Sequence, residues 1–399
     1  MLFSECGKAL SILCLAALVS NAAAAGNNAP RTDLPPLPTE TTGRSATLPL
    51  KYPNGWFLVQ DMAFQHMLDG RVVVIDPTAD SEPDQFKGMF NNSLIGNIAM
   101  SRRRHEIYSV ETFYSRGNRG KRTDTITIYD TRTLSPKGEM VYPKPKRFMG
   151  MPERYALVLR DNDNLLLSFN FTPETSVSVI NLDTRKFVNE VEIPGCAMIY
   201  PTGKLGFTSI CADGALLTTD LDKNGKTLKQ TRLDPFFDTD KSPVFERPAI
   251  VNGTAYFFGF AGKVHTVDLS GRVARMGKTW QLVPANERGD NWRPGGVAIV
   301  DTDTHGHFYL LMHSGGHEGT QNSPGTEVWV YDAASRQRIN RIRLKTPALS
   351  VAISGDDKPL LLASNVNMGL DLYDARTGKW LKTIDDMGME TPFMAYGLK

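Results

Sequence analysis

Residues suited to acid–base or metal chemistry are few in this chain. Of its seven histidines, four fall in two close pairs: His305 with His307, and His313 with His317 across Ser314-Gly315-Gly316. Either spacing could bring two imidazoles to one metal ion, but each pair sits in a polar, turn-rich stretch, and no metal site is assigned. Asp161, Asp163, Asp301 and Asp303 are of the type that does acid–base work in glycoside hydrolysis; their neighbours read as turns. The chain has no His-Glu-x-x-His, Gly-x-Ser-x-Gly, phosphate-loop or Cys-x-x-Cys-His motif, so metalloprotease, serine-hydrolase, nucleotide and c-haem chemistry find no foothold. No residue is given a catalytic role.

Charge is the next constraint. Lys and Arg number 45 against 43 Asp and Glu, a net charge of +2, which excludes electrostatic nucleic-acid binding. The cations gather in Arg102-Arg103-Arg104, in Arg116 to Arg122 and in Lys144-Pro145-Lys146-Arg147, beside predicted strand ends. They read as solvated loops, with a protein-contact face as the sharper alternative. Two Gly-rich, aromatic-bearing loops, Asn291-Trp292-Arg293-Pro294-Gly295-Gly296 and Met312 to Thr320, have the irregular character of binding loops.

The first residues predict export. Lys8 precedes an apolar stretch from Ala9 to Val19, and Asn21-Ala22-Ala23-Ala24-Ala25-Gly26 supplies small residues for cleavage near Ala25. The apolar stretch is shorter than the roughly 20 residues of a membrane span. Residues 1–25 are thus read as a signal peptide and the mature chain as periplasmic. Cleavage removes Cys6 and Cys14 and leaves Cys196 and Cys211. Two lone cysteines in an oxidising compartment are predicted to pair; the alternative is two buried thiols. Residues 26–50, with five prolines, read as an extended arm.

Everything after the arm is short apolar runs punctuated by Gly, Pro, Asn and Asp, an all-β pattern. One phrase, a β-rich strand closing on Asp or Asn, recurs seven times: it ends at Asp76, Asp130, Asn181, Asp220, Asp268, Asp332 and Asp374. The closing carboxylate or amide can fold onto the following backbone and start a turn. A further strand precedes most phrases and another follows, so the unit is an antiparallel meander repeated every 40 to 60 residues or so, as in propeller blades. The prediction is a seven-bladed β-propeller over residues 51–399.

With these motifs in place, the sequence resembles the heavy subunit of the tryptophan tryptophylquinone amine dehydrogenases. The carriers are Arg119 to Asp124, Gly195-Cys196 with Cys211-Ala-Asp-Gly214, Asn291 to Gly296, and Met312-His313 with Glu318-Gly319-Thr320 leading into Glu327-Val-Trp-Val330. The histidine-bearing loop looks more like the aromatic-amine branch than the methylamine branch. The resemblance implies a periplasmic heterotetramer of two heavy and two light subunits. Its quinone, formed from two tryptophans, belongs to the light subunit. Primary amines become aldehyde and ammonia, and electrons pass to a blue-copper protein of azurin or amicyanin type. It further implies a structural disulfide between Cys196 and Cys211, and a substrate-channel phenylalanine at Phe64 within Asp61-Met-Ala-Phe64-Gln-His66. Two other readings stay open: a self-sufficient propeller enzyme of lactonase or hydrolase type, and a periplasmic interaction propeller with no enzymatic partner.

Overall fold

A computed structural model describes residues 47–64, 69–146, 150–385, 387 and 389–399. The predicted signal peptide, nearly all of the arm, His66 and Arg147 lie outside the described residues. All pairing between the strands is antiparallel, and five discrete four-stranded sheets follow one another along the chain. In the first, Pro392–Gly397 lies beside Phe57–Asp61, Gly70–Ile75 and Phe86–Asn92, so the end of the chain supplies the inner strand to its beginning. The second runs Asn97–Ser101, Glu106–Arg116, Arg119–Asp130, Pro136–Val141 and the third Leu157–Arg160, Leu165–Asn170, Ser176–Asn181, Lys186–Glu192. The fourth runs Cys196–Thr202, Gly206–Cys211, Leu216–Leu221, Thr227–Leu233 and the fifth Ala249–Val251, Thr254–Phe258, Lys263–Asp268, Arg275–Gln281.

The remainder corrects the expectation of seven separate blades. The last two phrases lie in one eight-stranded sheet, because Gln337–Ile353 is a single 17-residue strand that serves as the outer edge of one meander and continues as the inner strand of the next. Every other junction between sheets contains a break in pairing. Here the junction residues Lys345-Thr-Pro347-Ala-Leu349 include no Gly, Asn or Asp to turn the chain, and Pro347 favours the extended backbone. The fold is therefore an all-β propeller with five discrete blades and one long sheet.

All seven phrases form strands. They are nearly continuous apolar runs because sheets cover both of their faces; Gly70–Ile75, for instance, is buried at five of six positions. The core lies between sheets. Phe57, Val73 and Ile75 pack on Leu362, Leu370 and Leu372, while Leu58, Val72 and Val74 pack on Ile98 and Ile107. Further clusters join each sheet to the next round the ring. Outermost strands alternate instead, as Lys186–Glu192 does.

The closing Asp or Asn makes the expected turn in six phrases. Its side chain accepts from the N–H of Thr78, Arg132, Thr184, Ser270, Ser335 or Thr377 at 2.6–3.1 Å. Asp220 is the exception, accepting instead from Arg272 Nε at 2.9 Å. Since neighbouring strands alternate in direction, these turns share one face. The links from second to third strand, and from sheet to sheet, open on the opposite face. That loop face carries Phe64, the 116–119 hairpin end, both cysteines and the 313–325 connection.

Candidate functional site

The turn that presents Phe64 is held by the carboxylate of Asp61. Asp61 ends the strand Phe57–Asp61 and is wholly buried. It accepts from the N–H groups of Ala63 at 3.1 Å, Glu390 at 2.9 Å and Thr391 at 2.7 Å. Met62 N–H adds a bond to the Thr391 carbonyl at 3.0 Å, and Arg71 bonds Glu390 at 2.8 Å with a second nitrogen 4.0 Å from Asp61. These bonds tie the loop after Asp61 to the chain entering Pro392–Gly397. Ala63 takes φ 45° to make the turn. Phe64 then meets Phe393 edge to face, with ring centroids 6.0 Å apart and planes at 87°. Both rings are half-buried, so each keeps surface open on the loop face.

A second constellation bridges the axis. Arg154, just before the inner strand of the third sheet, pairs with Asp301 of the eight-stranded sheet at 2.5 Å, and Lys399 reaches the same carboxylate at 2.7 Å. The other Asp301 oxygen accepts from Ile353 N–H at 2.8 Å. Beside it Arg247 pairs with Glu153 and bonds the Val297 carbonyl at 2.5 Å, while Glu153 N–H bonds Asn97 Oδ1 at 2.8 Å. Arg154 and Asp301, like Arg247 and Glu153, come from sheets that are not neighbours, so these two contacts cross the central channel. Burial by itself would raise the Asp301 carboxyl, but Arg154 and Lys399 hold it down to about 2. The reading of Asp301 as a turn carboxylate is thus corrected: it is a fully paired internal anion.

The other singled-out residues sort clearly. Asp303 does make a turn, accepting from His305 and His307 N–H at 2.9 and 2.8 Å, and His307 Nδ1 lies 2.8 Å from its second oxygen. His313 and His317 contact the carbonyls of Ser314 and Gly315 at 3.2 and 3.1 Å. Among the described residues no group of three or more metal-binding side chains converges. Arg102 to Arg104 are not solvated loops. They reach Asn54, Tyr52 O, Asn164, Asp163 O and Asp183, stapling three sheets together. Lys146 is buried against Glu190. By contrast the hairpin Glu106–Arg116/Arg119–Asp130 ends exposed, carrying Phe113, Tyr114, Arg116, Arg119 and Lys121.

The two Gly-rich loops zip together. Gly315 and Gly316 N–H bond the carbonyls of Asp290 and Asn291 at 2.9 and 2.8 Å. Trp292 stacks near Trp329 at 5.3 Å, under the Arg341 guanidinium. A cavity of about 540 Å³ opens beside them among Lys241, Phe245, Arg247, Phe260, Arg293 and Glu318, away from Phe64 and Phe393. Cys196 and Cys211 are directly opposite across two strands and form a disulfide.

Comparison with known proteins settles the family. The model of the methylamine dehydrogenase heavy chain (MADH) matches residues 58–396, nearly the whole propeller. The chain belongs to the methylamine dehydrogenase heavy chain family. A heavy chain from Methylophilus methylotrophus is 31% identical over 333 residues, covering 80% of this chain and 81% of its own. That of Methylorubrum extorquens is 28% identical over 326 residues, covering 81% and 76%. Solved structures add the fold alone. A dihydro-haem d1 dehydrogenase superposes with a TM-score of 0.53 at 15% identity, covering 89% of this chain and 77% of the other. A functionally unknown protein from Desulfotomaculum acetoxidans gives 0.53 at 12%, covering 84% and 97%. The family places this chain among heavy subunits of amine dehydrogenases, and Phe64 and Phe393 both lie within the matched span.

Proposed function

We propose that this chain is the non-catalytic heavy subunit of a periplasmic quinoprotein amine dehydrogenase. The observation that carries the reading is the match of a heavy-chain family across the propeller. The axis, where a self-sufficient propeller enzyme would build its site, is bridged by Arg154, Asp301 and Lys399. Tryptophan tryptophylquinone, supplied by a light subunit, would oxidise a primary amine to aldehyde and ammonia and pass electrons to a blue-copper protein. The fit of that group to this chain is poor. The close tryptophan pair among the described residues, Trp292 and Trp329, is packed under Arg338 and Arg341, with the Trp329 indole N–H bonded to Glu327 at 2.8 Å. Trp329 is wholly buried and Trp292 half-buried, a pair packed for the fold, which supports a quinone on a second polypeptide.

The residues of this chain then bind and orient. The loop face takes the light subunit, and its exposed Phe113 and Tyr114 offer apolar area for the contact. Phe64 lines the route of the amine, excluding water with an apolar ring. Two aromatic walls favour flat, apolar amines, which supports an aromatic-amine preference within the family. The eight-stranded sheet does the work of two blades sharing Gln337–Ile353, which makes the ring seven-bladed. Co-expression with a candidate light chain, small, exported and cysteine-rich, tests the reading. Elution as an assembly of two heavy and two light chains is expected; a propeller that elutes alone in the presence of that chain contradicts it.

A further inference from the structure

We propose that Phe393 is the second specificity-determining wall of the amine aperture, and that Asp61 is the positioning residue that sets its width against Phe64. The inference rests on the reading of Phe64 as a channel residue and assigns two more groups to that site. Phe64 and Phe393 are 329 positions apart in the chain, yet their strands are neighbours in the sheet that closes the ring. Pairing runs from Phe57 opposite Gly397 to Asp61 opposite Pro392, with the register shifting between Gln60 and Asp61. An irregularity of this kind re-aims the side chains that follow it. Here it lies directly before the turn that presents Phe64.

The base under the two rings is buried and hydrogen-bonded, while the rings themselves keep part of their surface exposed. Asp61, Met62, Ala63, Pro392 and Met394 are all buried, whereas Phe64 and Phe393 are half-buried. Asp61 holds both sides of the gap, through Ala63 N–H on one and Glu390 and Thr391 N–H on the other. An anion accepting three backbone N–H groups fixes a loop more tightly than neutral bonds do. The rings meet at 87°, so the edge of one faces the plane of the other, and a substituent passing between them meets apolar surface on both sides. Removing either ring opens the same gap. Loosening Asp61 lets the two walls separate without deleting either.

The test uses the assembled heavy–light complex and a series of primary amines from methylamine through benzylamine to a naphthyl-substituted methylamine. The ratio of kcat/KM for the bulkiest amine to that for methylamine is read for each variant. Phe64→Ala and Phe393→Ala should each raise that ratio by about tenfold, the scale on which pocket size discriminates substrates. The double variant should raise it no further than the larger single effect, because the two rings bound one gap. Asp61→Asn should shift the ratio in the same direction by a smaller factor; a fold-stabilising role alone would lower assembly without moving the ratio. Should Phe393→Ala fail to assemble, Phe393→Leu, a smaller apolar side chain without the planar ring, reads the same ratio. A ratio shifted by Phe64→Ala but not by either Phe393 variant overturns the second wall and leaves the reading of Phe64 standing. A ratio moved by neither phenylalanine overturns both. An unmoved ratio in Asp61→Asn, with both phenylalanine variants shifted, overturns the positioning role.

Discussion

Replacing Asp301 with Ala is expected to lower the free energy of unfolding by about 3–5 kcal/mol, the cost of breaking a buried ion pair by removing one partner. Asp301 is buried and holds Arg154, Lys399 and the Ile353 N–H at once. Without it Arg154 and Lys399 lose the anion that both of them contact, and leaving a buried charge unpaired is the expensive part of the loss. Denaturant unfolding of the isolated propeller measures the difference. Acid provides the same readout without mutation. The folded carboxyl is held down to about 2 against an ordinary value of 3.8, so its stabilisation is fully present above about pH 4. It is lost as the pH falls from there towards 2, a change of about 2 kcal/mol. The Asp301→Ala chain should lack this part of the acid transition. Equal stability of the two proteins at pH 7 would contradict the axis network as described.

Removing the disulfide should cost about 3 kcal/mol, the loop-closure value for a ring of 15 residues. Cys196 and Cys211 are both buried in the cluster that joins the third and fourth sheets, and they stand opposite each other at the open end of two paired strands. The cross-link keeps that end closed on the loop face, where the Arg232 guanidinium lies 3.4 and 3.8 Å from the two sulfurs. Substituting both cysteines with alanine removes the cross-link and leaves no buried hydroxyl behind. A fall in unfolding free energy well under 1 kcal/mol would show that the strands hold this end closed unaided.

The fold was legible wherever a local rule operated. Asp130 and Asp374 announce turns because their side chains bond the next backbone N–H groups, within a few residues. The fusion of the last two meanders was not read from the repeat: repeated phrases mark strands, and the only local sign of continuity is the lack of Gly, Asn and Asp in Lys345-Thr-Pro347-Ala-Leu349. Partners across the ring were equally hidden. Asp301 and Arg154 are 147 positions apart, and Arg104 finds Asp183 on the neighbouring sheet, so Asp301 read as a turn carboxylate and Arg104 as part of a solvated loop. Phe64 came from family resemblance. Phe393 had no motif to carry it, because only closure of the ring by the last strand brings the two rings together.

The claim that this propeller frames chemistry performed by another chain is tested most directly by amine-dependent dye reduction with the purified polypeptide, first alone and then after assembly with its light subunit. The account predicts no amine-dependent reduction by the propeller alone, and turnover that appears with the light chain. Reduction by the propeller alone, dependent on amine and on no second polypeptide, would contradict it.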